Sequence, residues 1–261
     1  MSLATLKTKI EKLIVKAQSG GNTDELEAII DNSSVLDSTE GTITEKLEQL
    51  VEKSEAENLW YNCSENWTGS FSSFFANSTA EKIPRMNPIK TTSMSYLCGG
   101  MVNLKRVDFY INAESCTNFN NMFAGCSSLE FVKGVNTSKA TRVIDMFTQT
   151  YALKTIEKPL DLSSVTSANN LMMFRGNTAF TLENICFKEE SIHWSFFIER
   201  CRYLSAESIQ SIFDGLATVE TAQTLTLHAD VKILQSQVDT ANAKGWTVAG
   251  GTVVSEEEYY V

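Results

Sequence analysis

Three stretches of the chain close on the same apolar signature at almost equal spacing, and that recurrence restricts the folds open to it. They are Tyr96-Leu-Cys-Gly-Gly-Met-Val-Asn-Leu-Lys-Arg-Val107, Asn121-Met-Phe-Ala-Gly-Cys-Ser-Ser-Leu-Glu-Phe-Val132 and Asp145-Met-Phe-Thr-Gln-Thr-Tyr-Ala-Leu-Lys-Thr-Ile156. Each ends in Leu-x-x-(Val/Ile), at Leu104/Val107, Leu129/Val132 and Leu153/Ile156, with steps of 25 and then 24 residues. A step of 24 backwards reaches Ala80 and Ile83, after Phe74. A step of 29 forwards, past Leu171-Met-Met-Phe174, reaches Leu182 and Ile185 and calls for an insertion near Arg175-Gly-Asn177.

A period of 24–25 residues lies in the leucine-rich-repeat range. One such unit, a short strand, a loop and a helical turn, cannot bury its apolar side alone, so units stack on a shared core. The spacing predicts an α/β fold, an irregular leucine-rich-repeat solenoid with three buried ladders. These are Leu104, Leu129, Leu153 and Leu182; Val107, Val132, Ile156 and Ile185; and Leu97, Met122, Met146 and Met173. The Met and Phe residues of the repeats are read as core rather than as a cofactor box, since apolar stripes normally mark cores.

The wording of the repeats resembles a known family. Asn121-Met-Phe-Ala-Gly-Cys-Ser-Ser-Leu129 is similar to the pattern M-F-x-x-C-x-S-L of BspA-like surface leucine-rich repeats. The pieces Asn136-Thr-Ser-Lys-Ala-Thr-Arg-Val143 and Asp161-Leu-Ser-Ser-Val-Thr-Ser-Ala168 resemble that family's D-x-S-x-V-T-x-M connector. The likeness covers roughly residues 70–190 and centres on Met122, Phe123, Cys126 and Leu129. Met101 and Thr150 stand where the neighbouring repeats would carry the cysteine, which points to a packing role for Cys126.

Residues 1–60 read as a helical attachment or capping segment, 61–203 as the solenoid, and 204–261 as a capping unit with an acidic tail. Leu3, Leu6, Ile10, Leu13 and Ala17 follow a 3-4-3-4 heptad seam ended by Gly20-Gly21, and Thr42 with Glu45 forms a capping box before a further helix. Helices this short are marginal alone. They are expected either to cover the open end of the solenoid or to dock on a partner. At the other end, Ser205 is an N-cap for a helix carrying Ile209, Ile212, Phe213 and Leu216. Gln223–Ala229 alternates like a strand, Asp230–Lys244 reads as helix, and Trp246-Thr-Val leads to a last strand near the Gly250-Gly251 stop.

With 22 basic and 32 acidic residues the formal net charge is −10, which disfavours nucleic acid and anionic membranes as partners. No run approaches the ~18 apolar residues of a membrane span. The start lacks the basic-then-apolar order of a secretion signal, so the four Asn-x-Ser/Thr sequons at Asn62, Asn66, Asn77 and Asn136 carry no weight. Six cysteines with no C-x-x-C pair, and only His193 and His228, offer no zinc spacing; free, core-packed thiols are expected, with no metal and no cofactor. No nucleophile elbow, phosphate loop or H-E-x-x-H is present.

The opening Leu6-Lys-Thr-Lys-Ile-Glu-Lys-Leu-Ile-Val-Lys-Ala-Gln18 and the 204–261 region resemble tail-associated proteins of phages and prophages of Firmicutes. The resemblance implies a non-enzymatic tail or baseplate protein, present as a homo-oligomer or in many copies per particle. It would be assembled in the host cytoplasm and held by its N-terminal helices, through Leu3, Leu6, Ile10 and Leu13, to other tail proteins. The repeats would face a host-surface glycan or protein with the outward strand residues Arg106, Asp108, Tyr110, Phe131, Lys133, Thr155, Glu157 and Asn184. Alternatives are a purely structural tail component, a protein of the bacterial cell surface, and a wall-glycan hydrolase on the repeat scaffold.

Overall fold

The Leu-x-x-(Val/Ile) signature places one apolar side chain inward at each short strand, and the strands then pair repeat upon repeat. The computed structural model describes Tyr61, residues 64–174 and residues 182–260. The chain comprises two compact units, Met1–Ser64 and Glu65–Val261. The N-terminal helices, the seam Leu3, Leu6, Ile10 and Leu13, the Thr42/Glu45 box and the insertion near Arg175 lie outside the described residues.

Strands β1 (Arg106–Val107), β2 (Phe131–Val132) and β3 (Thr155–Ile156) form a parallel sheet in which Val107 faces Val132 and Val132 faces Ile156. A further parallel bridge joins Thr155 to Asn184, the longer step of the repeat. Leu104, Leu129, Leu153 and Leu182 are fully buried, as are Leu97, Met122, Met146 and Met173. One expected rung fails: Ile83 is buried, but Ala80 and Phe74 are exposed.

The helical turn expected in each unit is replaced by linked turns over residues 72–77, 95–100, 120–125 and 144–149, followed by a 3-10 helix at Ala168–Leu171. In these turns alternate N–H groups leave for the next repeat. Tyr96, Cys98 and Gly100 donate to the carbonyls of Asn120, Met122 and Ala124, and Asn121, Phe123 and Gly125 donate to those of Ile144, Met146 and Thr148. The N–H groups between them close onto their own turn, as Gly99 does on Tyr96. Every buried backbone group of such a segment needs a partner, and this alternation supplies it without helix. It also demands left-handed residues four apart: Tyr96 and Gly100, Asn121 and Gly125, Asp145 and Gln149. Inside, the rings of Phe123, Phe147 and Phe174 stack at centroid separations of 5.6 Å and 5.6 Å.

The C-terminal part continues the parallel pairing. Ser205 caps α1 (Ala206–Gly215), its Oγ accepting from the Ser208 N–H, and α1 buries Ile209, Ile212 and Phe213. Strands β4 (Phe196–Ile198), β5 (Gln223–Leu227) and β7 (Trp246–Ala249) pair in the order β4-β5-β7. Two expectations are corrected here. Residues 230–244 are not one helix: Lys232–Leu234 is a strand, β6, whose Ile233 turns inward, and only Gln235–Ala243 is helical, α2. Gly250-Gly251 is not a stop but a left-handed turn into β8 (Thr252–Val254), which pairs with β6.

The acidic tail carries a short helix. Ser255 caps this helix, α3 (Glu256–Tyr259), whose Glu256, Glu257 and Glu258 are exposed while Tyr259 is buried and donates from its hydroxyl to the Ala206 carbonyl at 2.9 Å. Hydrogen bonds join the segment from 204 onward to the repeats before it. The Ser205 N–H donates to the Glu183 carbonyl, the Ser208 Oγ accepts from the Ile185 N–H, and both sides belong to the unit Glu65–Val261.

Candidate interaction surface

Parallel register turns sequence spacing into adjacency, so the outward residues of successive strands stand in rows. Arg106 is opposite Phe131, Phe131 opposite Thr155, and Thr155 opposite Asn184. The Arg106 guanidinium lies 4.2 Å from the centre of the Phe131 ring, a cation–π contact on an open surface. Asn184 Nδ2 donates to Thr155 Oγ1 at 3.5 Å.

Two residues further along, charges alternate. Arg106 pairs with Asp108 at 2.9 Å within its own strand segment. Lys133 Nζ reaches both carboxylate oxygens of Glu157, at 2.6 and 2.8 Å, and Lys158 approaches the same carboxylate at 3.7 Å. The Lys133 hydrogen bond holds the Glu157 carboxyl below the usual carboxylate range.

Tyr110 stands at the edge of this surface. Burial of its ring pushes its phenol upward, reinforced by the carboxylates of Asp161 and Glu114. Gly134, at φ +147, makes room here: a Cβ would sit 3.1 Å from the Tyr110 ring and 2.5 Å from the Lys158 Cβ. Lys188 closes the row on Asp161 at 2.7 Å. Burial pushes the Asp161 carboxyl up, but the Lys188 ammonium and the Ser163 hydroxyl and N–H outweigh it and hold the group below its ordinary value.

All eight sequence-selected side chains are thus exposed or half-exposed on this unit. Arg106, Phe131, Thr155 and Asn184 share one row, and Lys133 and Glu157 meet, whereas Asp108 turns to Arg106 rather than to Lys133. Lys158, Asp161, Lys188 and Gly134 were overlooked in the sequence. Their signal was the register itself, since Lys158 stands 24 residues after Gly134 and Lys188 27 after Asp161.

The remaining chemistry-bearing groups point elsewhere. Cys98, Cys116, Cys126 and Cys201 are buried free thiols. Burial raises all four, Cys116 and Cys126 to about 12. The Cys126 thiol donates to the Cys98 carbonyl at 3.0 Å, and Thr150, which takes its place in the next repeat, donates to Phe147 at 2.6 Å. His228 Nδ1 accepts from the Asp230 N–H. Among the described residues, no group of three or more His, Cys, Asp or Glu gathers to hold a metal, and no helix is long and apolar enough to cross a membrane.

No curated protein and no solved structure matches the chain. Residues 69–186, somewhat under half of the sequence and the stretch that holds the parallel repeats, are similar to a family described as "Mycoplasma protein of unknown function, DUF285".

Proposed function

We propose that the repeats form an irregular leucine-rich-repeat solenoid whose outward strand rows bind a glycan or protein on a cell surface, without catalysis, as part of a phage tail or baseplate. The observation that carries this reading is the in-register row Arg106, Phe131, Thr155 and Asn184 beside the Lys133–Glu157 pair. It offers an aromatic ring and a guanidinium beside neutral polar groups, and arginine is among the residue types that dominate contact energy. Many copies on one particle turn weak contacts into firm attachment. The family description, which names Mycoplasma, favours a cellular rather than a virion setting as the second reading.

The test is binding of the fluorescently labelled full chain to a panel of intact Gram-positive and wall-less bacterial cells. Saturable binding to at least one cell type, lost in the double variant Arg106→Ala/Phe131→Ala, is the expected result. No saturable binding to any of them, or equal binding by the variant, overturns the proposal. Immunogold labelling of phage particles then separates the two settings.

A further inference from the structure

A cleft of about 570 Å³ opens beside α1, between the chain that precedes it, the start of β6 and the C-terminal helical turn. Leu204, Ile209 and Val231 are buried and give it an apolar floor. Its rim carries two tyrosines that the fold does not cover: Tyr203 is 58% and Tyr260 74% exposed. Two rings left this open on the rim of one cleft give a ligand aromatic faces to stack on. The Arg202 guanidinium lies 5.7 Å from the Tyr203 ring and Tyr259 meets Tyr260 edge-on at 5.0 Å, so each ring is braced from one side with the other available.

The charges around the cleft narrow the ligand. Arg202 is committed to Asp230, and Lys232 Nζ donates to the Glu258 carbonyl at 2.8 Å. Glu183 and Glu207 also line the cleft and form no ion pair with any described residue. A polyanion would meet uncompensated carboxylates, and the cations it would need, Arg202 and Lys232, are already engaged. A second hollow, of about 370 Å³, shares Glu207, Tyr259 and Tyr260 with the first, so the depression runs on past Tyr260. Flat polar rings with one apolar face suit such a place. Their C–H groups meet the electron-rich faces of the tyrosines, and their hydroxyls donate to carboxylates, which only accept.

We propose that this cleft is a binding site for a neutral oligosaccharide, stacked on Tyr203 and Tyr260 and hydrogen-bonded to Glu183 and Glu207. Its lining shares no residue with the row of Arg106 to Asn184, and it stands or falls without that row.

The labelled full chain is applied to an array of neutral hexose and N-acetylhexosamine oligosaccharides, with sialylated glycans, a glycerol-phosphate polymer and a tri-lysine peptide alongside. Retention on neutral oligosaccharides is expected, about tenfold weaker for Tyr203→Ala and for Tyr260→Ala. Tyr203→Phe, which keeps the ring, and Arg106→Ala/Phe131→Ala, which touches only the strand rows, bind as the parent does. Circular dichroism confirms that each variant is folded. Retention on the anionic polymers or the peptide alone, no retention at all, or retention indifferent to both tyrosines overturns the proposal. Loss of cell binding in the strand-row variant with oligosaccharide retention intact separates this site from that surface.

Discussion

Replacing Phe147 by Leu tests whether the repeats share one core. Phe147 is the middle ring of three, with Phe123 and Phe174 each 5.6 Å away and inclined by 12° and 15°. Leu keeps a branched apolar side chain in the site, so the transfer loss is about 1 kcal/mol, little more than one methylene. Each ring pair adds about 0.5–1.5 kcal/mol beyond area. Phe147→Leu breaks two pairs and should cost about 2–4 kcal/mol; Phe123→Leu and Phe174→Leu break one each and should cost about 1.5–2.5. Urea unfolding followed by circular dichroism measures all three. The double variants are decisive. Phe123→Leu with Phe147→Leu removes a shared contact and should be less costly than the sum of the singles by about 0.5–1.5 kcal/mol, whereas Phe123→Leu with Phe174→Leu should be additive. Equal coupling in both double variants, or a Phe147→Leu as mild as a surface change, would show that the rings do not act as neighbours in sequence order.

Three further outcomes follow from the same geometry. Gly245→Ala should lower stability by about 1–3 kcal/mol, because its φ is +90 and the new Cβ would sit 2.6 Å from the Val219 carbonyl oxygen; an unchanged urea midpoint would contradict this. Iodoacetamide at pH 8 should modify the half-buried Cys186 before Cys98, Cys116, Cys126 and Cys201, whose buried thiols stay protonated, and peptide mass spectrometry that finds Cys126 labelled first would refute it. Asp161→Asn should destabilise at pH 7, and the gap from the parent should close in acid. The Asp161 carboxyl is depressed in the folded chain, so its contribution is present above about pH 4, the unfolded value, and is lost as pH falls through the lower folded one. A gap of equal size at pH 7 and pH 2.5 would reject that account.

The buried positions were legible because burial leaves a periodic trace. Leu104, Leu129 and Leu153 are completely enclosed, and the steps of 25 and 24 residues reappear as strand register. Ser205 was legible as an N-cap for the same kind of reason, a short polar side chain ahead of an apolar stripe. The turns were not. Their left-handed positions hold Tyr96, Asn121 and Asp145 in one series and Gly100, Gly125 and Gln149 in the other, and neither series has a single residue type to announce it. Asn, Asp and Gly tolerate that conformation, but Tyr96 adopts it because cross-repeat hydrogen bonds fix the chain on both sides, and just before Gln149 the Thr148 carbonyl accepts from the Gly125 N–H. The strand Lys232–Leu234 escaped notice because it is three residues long and runs straight into α2, so no turn residue marks the change of period. Arg202, Tyr203, Asp230 and Tyr260 meet in the C-terminal cleft from distant parts of the chain, with no repeat to bring them into view.

Where stability resides bears on what the surface is free to do. The inward ladders of Leu, Val, Ile, Met and Phe are closed to solvent, and backbone hydrogen bonds tie each repeat to the next. The outward rows, by contrast, carry the pairs Lys133–Glu157, Arg106–Asp108 and Lys188–Asp161, each with at least one solvent-exposed partner. Exposed ion pairs add little to folding. A repeat can therefore change Arg106, Lys133 or Thr155 without disturbing Val107, Val132 or Ile156, because alternate residues of a strand face opposite ways. Close approach of the backbone sets a limit to that freedom. Gly134, buried and at φ +147, must stay small for Tyr110 and Lys158 to approach one another, so it is expected to resist change although it stands between two freely variable outward side chains.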